Sequence, residues 1–374
     1  MREVKVDIDI YEKFNTKLES IWLKFEENAI MTPFQSYAWL LHWQKMIGAP
    51  LQKTQLQLVI LKEKDDIIAI LPLCISKFRG IKILKWLGGV QSDYKAPLFH
   101  KNWTNYKIDF EVIWEKICNH LKSYDVIHLE SQPEMLGMLI NPFISSFNVN
   151  HNDTASHAKL SGDWMDYYNS KIKKKVRSDT RRSLRRLNEL GTVSFSIANS
   201  TSESISIINK MISQKSKKYL KTGLKDILAI SEYRKFYKQL PNLKYNTKMN
   251  LHCSAFKVDK TIIATHVGLV YKEKFYYLMP AYESTEWAHY SPGRLLLEKL
   301  IEWSFLSNIK LFDFTVGAES YKAKWCDKEE KIYEYLEPCN AIGYFYIIWE
   351  YIKKNIILSK IGSKYLRKLR IKVS

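Results

Sequence analysis

The sequence is short of the residues that staple small folds or build nucleotide loops. Its 374 residues include five cysteines, Cys74, Cys118, Cys253, Cys326 and Cys339, and 13 glycines. The cysteines are odd in number and scattered, with no CxxC pair and no Cys/His cluster at metal-ligand spacing. That argues against a disulfide scaffold or a structural metal and for a reducing compartment. No Walker loop and no Gly-x-Ser-x-Gly elbow occurs, which removes P-loop and serine-hydrolase chemistry. No charge-free run of about 20 apolar residues occurs, and the opening MREVKVDIDIYEKF lacks an apolar core behind its basic residues. Neither a membrane span nor a secretion signal is expected, and the expected location is the cytoplasm.

Acidic side chains are the other deficit. There are 39 against 58 lysines and arginines, a formal net charge of +19. The excess is local. Lys171 to Arg186 (KIKKKVRSDTRRSLRR) carries nine basic residues and one acid, and Tyr351 to Ser374 carries eight basic residues and none. These two stretches hold most of the excess, so the positive field belongs to two devices and not to the whole surface. Apolar material is plentiful: 46% of residues are hydrophobic and 13% aromatic, with 11 tryptophans and 23 tyrosines. A chain of this length and composition suits two ordinary α/β domains.

Helix-spaced apolar residues run from Tyr11 to Glu27, and Ser36 stands as an N-cap before a helix at Tyr37 to Ile47. Two apolar β-rich runs, Leu56 to Lys62 and Ile67 to Ile75, flank the charged turn Glu63-Lys64-Asp65-Asp66 and read as a hairpin. Strands at Ile81 to Leu87 and Asp125 to Glu130 follow, with a helix around Val112 to Leu121 between them. In the second half a long helix from Trp164 to Leu190 ends at Gly191, before a strand at Val193 to Ile197. Helical pattern runs through Ile205 to Leu240. Leu251 to Val258, Ile262 to Tyr271 and Phe275 to Pro280 form a meander. Ser291-Pro292-Gly293 opens a helix to Leu306, with Ser291 as N-cap and Pro292 at the first helical position, and Ile309 to Thr315 closes as a strand.

The hairpins LVILKEKDDIIAILPL and CSAFKVDKTIIATHVG share a strand, a charged turn and an Ile-Ile-Ala start to the next strand. Each follows a pair of helices and precedes a strand-helix-strand tail, which predicts a duplicated α/β fold with a linker near Asn150 to Asp163.

Several segments carry a resemblance. They are Pro33-Phe34-Gln35-Ser36 with Trp39 and Trp43, Leu71-Pro72-Leu73, Leu87-Gly88 with Asp93-Tyr94, Lys174-Lys175-x-Arg177 with Arg181-Arg182 and Arg185-Arg186-Leu187, and above all FYYLMPAYESTEWAHYSPGRLLLEKLIEW and FDFTVGAESYKAKW. Over residues 30 to 335 the chain resembles the CelD-like GNAT-type acyltransferases of cellulose and exopolysaccharide biosynthesis, themselves similar to Fem-type peptidoglycan aminoacyltransferases. The resemblance implies two tandem GNAT-like domains, 1–150 and 164–337, with mixed, mostly antiparallel sheets flanked by helices, the donor and catalytic site in the second, and a basic tail at 338–374. It implies transfer of an acyl group from acyl-CoA, acetyl-CoA in the simplest case, to an amine or hydroxyl of a sugar or polysaccharide precursor. The alternatives are a tRNA-dependent Fem-type aminoacyltransferase and a non-catalytic module that grips an anionic polymer or RNA.

The donor's pyrophosphate is expected at Tyr290, Ser291, Pro292, Gly293 and Arg294, because free N–H groups and the helix dipole favour an anion at a helix start. Lys322 resembles the lysine of the Fem Phe-Lys motif, placed to stabilise charge at the transfer centre. Asp313 and Glu319 flank the same turn as base, acceptor anchor or partner to Lys322. His266, on an apolar strand between Ala264 and Gly268, is either a general base or a core residue, with Tyr282 and His289 behind it in the same role. No metal is expected. The basic helix reads as a phosphate contact, to acyl-CoA, a sugar nucleotide or tRNA. The stripe Phe345, Ile348, Trp349, Ile352, Ile356 with its following cations reads as an interfacial helix on an anionic membrane, residues 344–374, or as packing on the body.

Overall fold

The computed structural model describes residues 6–245, 248–317, 319 and 321–358. The chain divides into two compact units, residues 1–153 with 331–374, and residues 154–330.

In the first unit, side-chain alternation sets the sheet. Leu58 to Leu61 and Ile68 to Leu71 bury on both faces, which only an inner hairpin permits. The strands run in the order Val6–Tyr11, Gln55–Glu63, Asp66–Phe78, Ile81–Trp86, Val126–Pro133 and Lys328–Pro338. Neighbours are antiparallel except at Ile83–Leu84 against Val126–Ile127. Helices Thr16–Glu26 and Tyr37–Trp43 start at caps the sequence announces: Asn15 Oδ1 accepts from Leu18 N at 2.8 Å, and Ser36 Oγ from Trp39 N. They bury Trp22, Trp39 and Trp43. Phe110–His120 lays Phe110, Ile113, Trp114 and Ile117 on the sheet.

The second unit repeats this plan. Its order is Asn150–Lys159, Leu311–Val316, Lys274–Tyr282, Thr261–Tyr271, Met249–Val258 and Val193–Ile197, again with one parallel contact, Lys274–Tyr276 against Leu311–Asp313. Helix Pro292–Leu306 buries Leu295, Leu296, Leu300 and Ile301 on one face, against Phe256, Ile263, Phe275 and Phe312. Helix Thr201–Thr222 packs on the sheet with Ile207, Ile208 and Met211. The two hairpins match in detail: the register slips between Leu61 and Lys62 in one and between Phe256 and Lys257 in the other. Their turns place Lys64 and Asp259, three residues after Leu61 and Phe256, at φ 56° and 50°. Two tandem α/β halves with mixed, mostly antiparallel sheets flanked by helices are therefore present, as expected.

Three local expectations change. Asn150–Lys159, read as linker, is a strand whose buried positions are small or polar, Ala155, Ser156, His157 and Ala158, and carry no hydrophobic signal. The helix expected from Trp164 to Leu190 is two, Trp164–Lys171 and Lys174–Leu190. Ile172 between them takes an extended backbone and buries its side chain, which a continuous helix would not allow. Val6–Tyr11, unassigned from sequence except for Tyr11, expected to open the first helix, alternates Val and Ile with Asp as an edge strand does, and that helix starts at Thr16. Of the basic tail, 359–374 and the side chain of Ile356 lie outside the described residues.

Candidate active site

The parallel contact between Lys274–Tyr282 and Leu311–Val316 covers only three residues of each strand. Beyond Tyr276 and Asp313 the two strands part. A bulge adds to the opening, because Tyr277 and Leu278 stand opposite the single residue Gly268. The Tyr277 phenol is held well above its ordinary pKa, first by burial and then by Tyr321, Glu319 and Tyr282 around it. Residues from both strands thus share one gap.

The helix that follows starts beside this gap. Pro292 occupies the first helical turn, and Ser291 is the N-cap. The expected hydroxyl cap is not formed, since Ser291 is left-handed at φ 56° and its carbonyl instead accepts from Arg294 N at 3.0 Å and Leu295 N at 3.2 Å. A serine rarely adopts this conformation, and such strain is retained chiefly where it orients a site. Gly293 sits under the Tyr282 ring: an added Cβ would lie 2.9 Å from Tyr282 Cδ1. Its need for space thus comes from an aromatic ring. Gly293→Ala should tilt that ring and raise the donor Kd by roughly three- to tenfold, within the usual cost of crowding a packed site; an unchanged Kd by calorimetry would reduce this segment to an ordinary helix start.

Helix Lys174–Leu190 meets the same helix start. Its stripe Val176, Thr180, Leu184 and Leu187 packs inward. Buried Glu298 ties the two helices, accepting from Thr180 Oγ1 at 2.9 Å and Tyr168 Oη at 3.0 Å. Burial raises the Glu298 pKa, against the pull of those hydroxyls and of Arg294. The result is a polar pocket of about 440 Å³ lined by Asp179, Arg182, Ser183, Arg186, His289, Tyr290, Ser291 and Arg294. Arg182 pairs with Asp179 at 2.5 Å, whereas Arg294 Nε is buried with no partner. Three guanidiniums, of Arg182, Arg186 and Arg294, thus line one pocket with a single carboxylate, Asp179, at a helix start.

At the far end of Leu311–Val316 the chain turns sharply. Thr315, β-branched, is left-handed at φ 58°, and its N–H donates to Asp313 Oδ1 at 2.7 Å. Lys322 is 3% exposed. Its ammonium donates to the carbonyls of Thr315, Val316 and Gly317 at 3.4, 3.3 and 3.0 Å and pairs with Glu319 at 2.8 Å. Burial would raise the Glu319 pKa, but Lys322 outweighs it and the carboxyl falls below its ordinary range. The Glu319 side chain is 56% exposed. Lys322 therefore organises the turn and holds the exposed Glu319 carboxylate beside it.

Asp313 faces inward. Its Oδ2 lies 3.5 Å from His157 Nδ1, and His157 Nε2 is 3.1 Å from Glu330. Burial opposes charge on this imidazole, yet the two carboxylates raise its pKa to about 9. His266 is fully enclosed, with its ring 4.7 Å from Tyr277 and nearly parallel, and neither nitrogen has a polar partner. Burial, with His252 and Lys215 nearby, lowers its pKa well below the ordinary value. Tyr282 packs on Gly293 and Glu319 pairs with Lys322, whereas His266 lies in the aromatic core and Asp313 in the His157 cluster. His289 lines the arginine pocket.

Residues 174–323, from the first residue of the basic helix to just past Lys322, match the family model for an acetyltransferase (GNAT) domain. A GNAT-type acetyltransferase domain thus occupies the stretch from Lys174 to Ala323. The FemX crystal structure is similar in fold, with a TM-score of 0.55 at 8% identity over 88% of this chain and 97% of that one. So is L-PGS from Bacillus licheniformis, with a TM-score of 0.53 at 11% identity over 92% and 98%. No curated protein matches the sequence. Every lining residue of the arginine pocket and the Lys322 turn falls inside the matched GNAT domain. Acyl-CoA is the usual donor of this fold, and among the described residues no His, Cys, Asp or Glu group could hold a metal. His157 and Glu330, which the sequence did not single out, lie outside the matched residues. The basic helix was legible as charge, but its meeting with residues 289–294 was not.

Proposed function

We propose that this acyltransferase moves an acyl group from an acyl-CoA to an amine or hydroxyl of a sugar or polysaccharide precursor. The meeting of Arg182, Arg186 and Arg294 at a strained helix start supports the donor assignment: it suits phosphates and sits beside the gap where two strands part. The acceptor's nucleophile would add to the thioester carbonyl, the C–S bond would break, and the acceptor's proton would pass to the departing thiolate. Glu319, exposed and held ionised by Lys322, suits an acceptor amine, and Lys322 serves as its positioning residue.

The test is release of free thiol from acetyl-CoA with a panel of amino-sugar nucleotides. Turnover with at least one acceptor is expected, and Lys322→Ala should lower it at least about tenfold, since the turn that orients the acceptor carboxylate would relax. No turnover across the panel, with the donor still bound, would favour the non-catalytic reading. A second reading rests on the exposed cations of the basic helix that point away from the pocket, Lys174, Lys175, Arg181 and Arg185. They suit a nucleic-acid backbone, as an aminoacyl-tRNA donor would supply. Steeply salt-dependent tRNA binding would favour it.

A further inference from the structure

Helix Ala341–Leu358 packs with its polarity reversed. Its inward residues are Gly343, Tyr346 and Glu350, with Ile347 and Lys354 half-buried. Gly343 permits the approach, since a Cβ there would meet the Asp125 carbonyl oxygen at 2.1 Å. Tyr346 Oη lies 2.8 Å from His128 Nδ1, Lys354 pairs with buried Glu334, and Glu350 pairs with Lys353 at 2.9 Å. A polar network fastens the helix to the sheet. The stripe read from sequence as interfacial or core faces out: Phe345 is 71% exposed, Ile348 54%, Ile352 45% and Trp349 40%, with Ile342, Tyr344 and Tyr351 exposed beside them.

We propose that this face docks on an anionic lipid bilayer, a reading independent of the acceptor proposed above. An apolar and aromatic face of this extent is costly in water and marks a docking surface. The occupant follows from charge. Glu350 is the single carboxylate of the helix, and it points inward. The Arg79 guanidinium lies 5.1 Å from the Trp349 ring, and the sequence beyond the helix adds six basic residues, Lys360, Lys364, Arg367, Lys368, Arg370 and Lys372, and no acid. A bilayer with anionic headgroups uses both features: Phe345, Ile348 and Ile352 enter the acyl boundary, Tyr344, Trp349 and Tyr351 suit the headgroup level, and the cations meet phosphates. No helix among the described residues is long and apolar enough to cross a membrane, so the contact lies on the surface.

Sedimentation of the full chain with vesicles tests this. Binding to phosphatidylglycerol–phosphatidylcholine vesicles is expected, with little to phosphatidylcholine alone and a loss on raising salt. Phe345→Ser/Ile348→Ser/Ile352→Ser should weaken it at least about tenfold, because apolar contact and charge are each marginal alone. Circular dichroism and gel filtration check the fold. Should the triple variant unfold, Phe345→Ser alone carries the test, with a several-fold loss expected. Absence of vesicle binding by the unaltered chain, equal binding by a folded variant, or a dimer that the substitutions dissociate without any vesicle binding would overturn the proposal. The last outcome would assign the face to a second copy of the chain.

Discussion

Replacing Arg182 and Arg294 together by alanine should raise the KM for acetyl-CoA by two orders of magnitude or more and leave kcat within a few-fold. A charge-assisted hydrogen bond to a phosphate contributes about 1.5–3 kcal/mol, so each arginine accounts for roughly ten- to a hundredfold. Uniform binding of donor and transition state puts the loss in KM. The control is a thioester without phosphates, S-acetylpantetheine, whose slower reaction should be indifferent to both substitutions. Arg182 is tied to Asp179, so removing it also frees a carboxylate into the pocket and repels the donor. Arg294 has a buried, unpartnered Nε, and its loss removes a donor group that the fold leaves unused. An unchanged KM for acetyl-CoA, or equal losses with both thioesters, would remove the phosphates from the pocket.

The second large effect is acid lability. His252 and His266 are buried among Phe275, Tyr277 and Trp303, with no polar partner on any ring nitrogen. Burial lowers the His252 pKa to about 3 and that of His266 well below its ordinary value. Both are neutral when folded, whereas an unfolded histidine takes up a proton below about pH 6.5. Stability is therefore lost as pH falls below that point. His252 alone removes about 2 kcal/mol between pH 6.5 and 4.5, against a typical net stability of about 5–15 kcal/mol. His157 has the opposite sign: raised to about 9, it contributes fully below the ordinary histidine range and is lost as pH rises through its folded value. Urea denaturation from pH 4.5 to 10 should give a stability curve falling at both ends. His252→Phe, which matches the aromatic surroundings, should flatten the acid limb. An acid limb unaltered by that change would show that other groups govern it.

Much of this architecture can be read from residue pattern, for physical reasons. The hairpins announce themselves because inner strands bury both faces and turn on charged residues, and the caps at Asn15 and Ser36 are short-range chemistry. Asn150–Lys159 is silent because a strand of Ala, Ser and His carries no periodic apolar signal, although it brings His157 to Asp313. The arginine pocket is silent for another reason. Its halves are more than a hundred residues apart in sequence, and Glu298, which joins them through Thr180, looks like any helical carboxylate until its burial is known. The helix after Ala341 misleads in the opposite sense. Periodicity identifies its apolar stripe, but which face turns to the sheet depends on His128, far from it in sequence, and on the burial of Glu334 in the preceding strand.

The closing strand of the first unit has a consequence for synthesis. Ile127 pairs with Glu337 and Val126 with Pro338, so the sheet begun at Val6 lacks its sixth strand until the segment ending at Pro338 has been made. Residues 154–330 form one unbroken stretch and have no such dependence. On the ribosome the interior unit is the first with all its strands in hand, and the enclosing one waits with an open edge at Val126–Pro133. The order in which complete sets of strands emerge thus runs from the inside of the sequence outward.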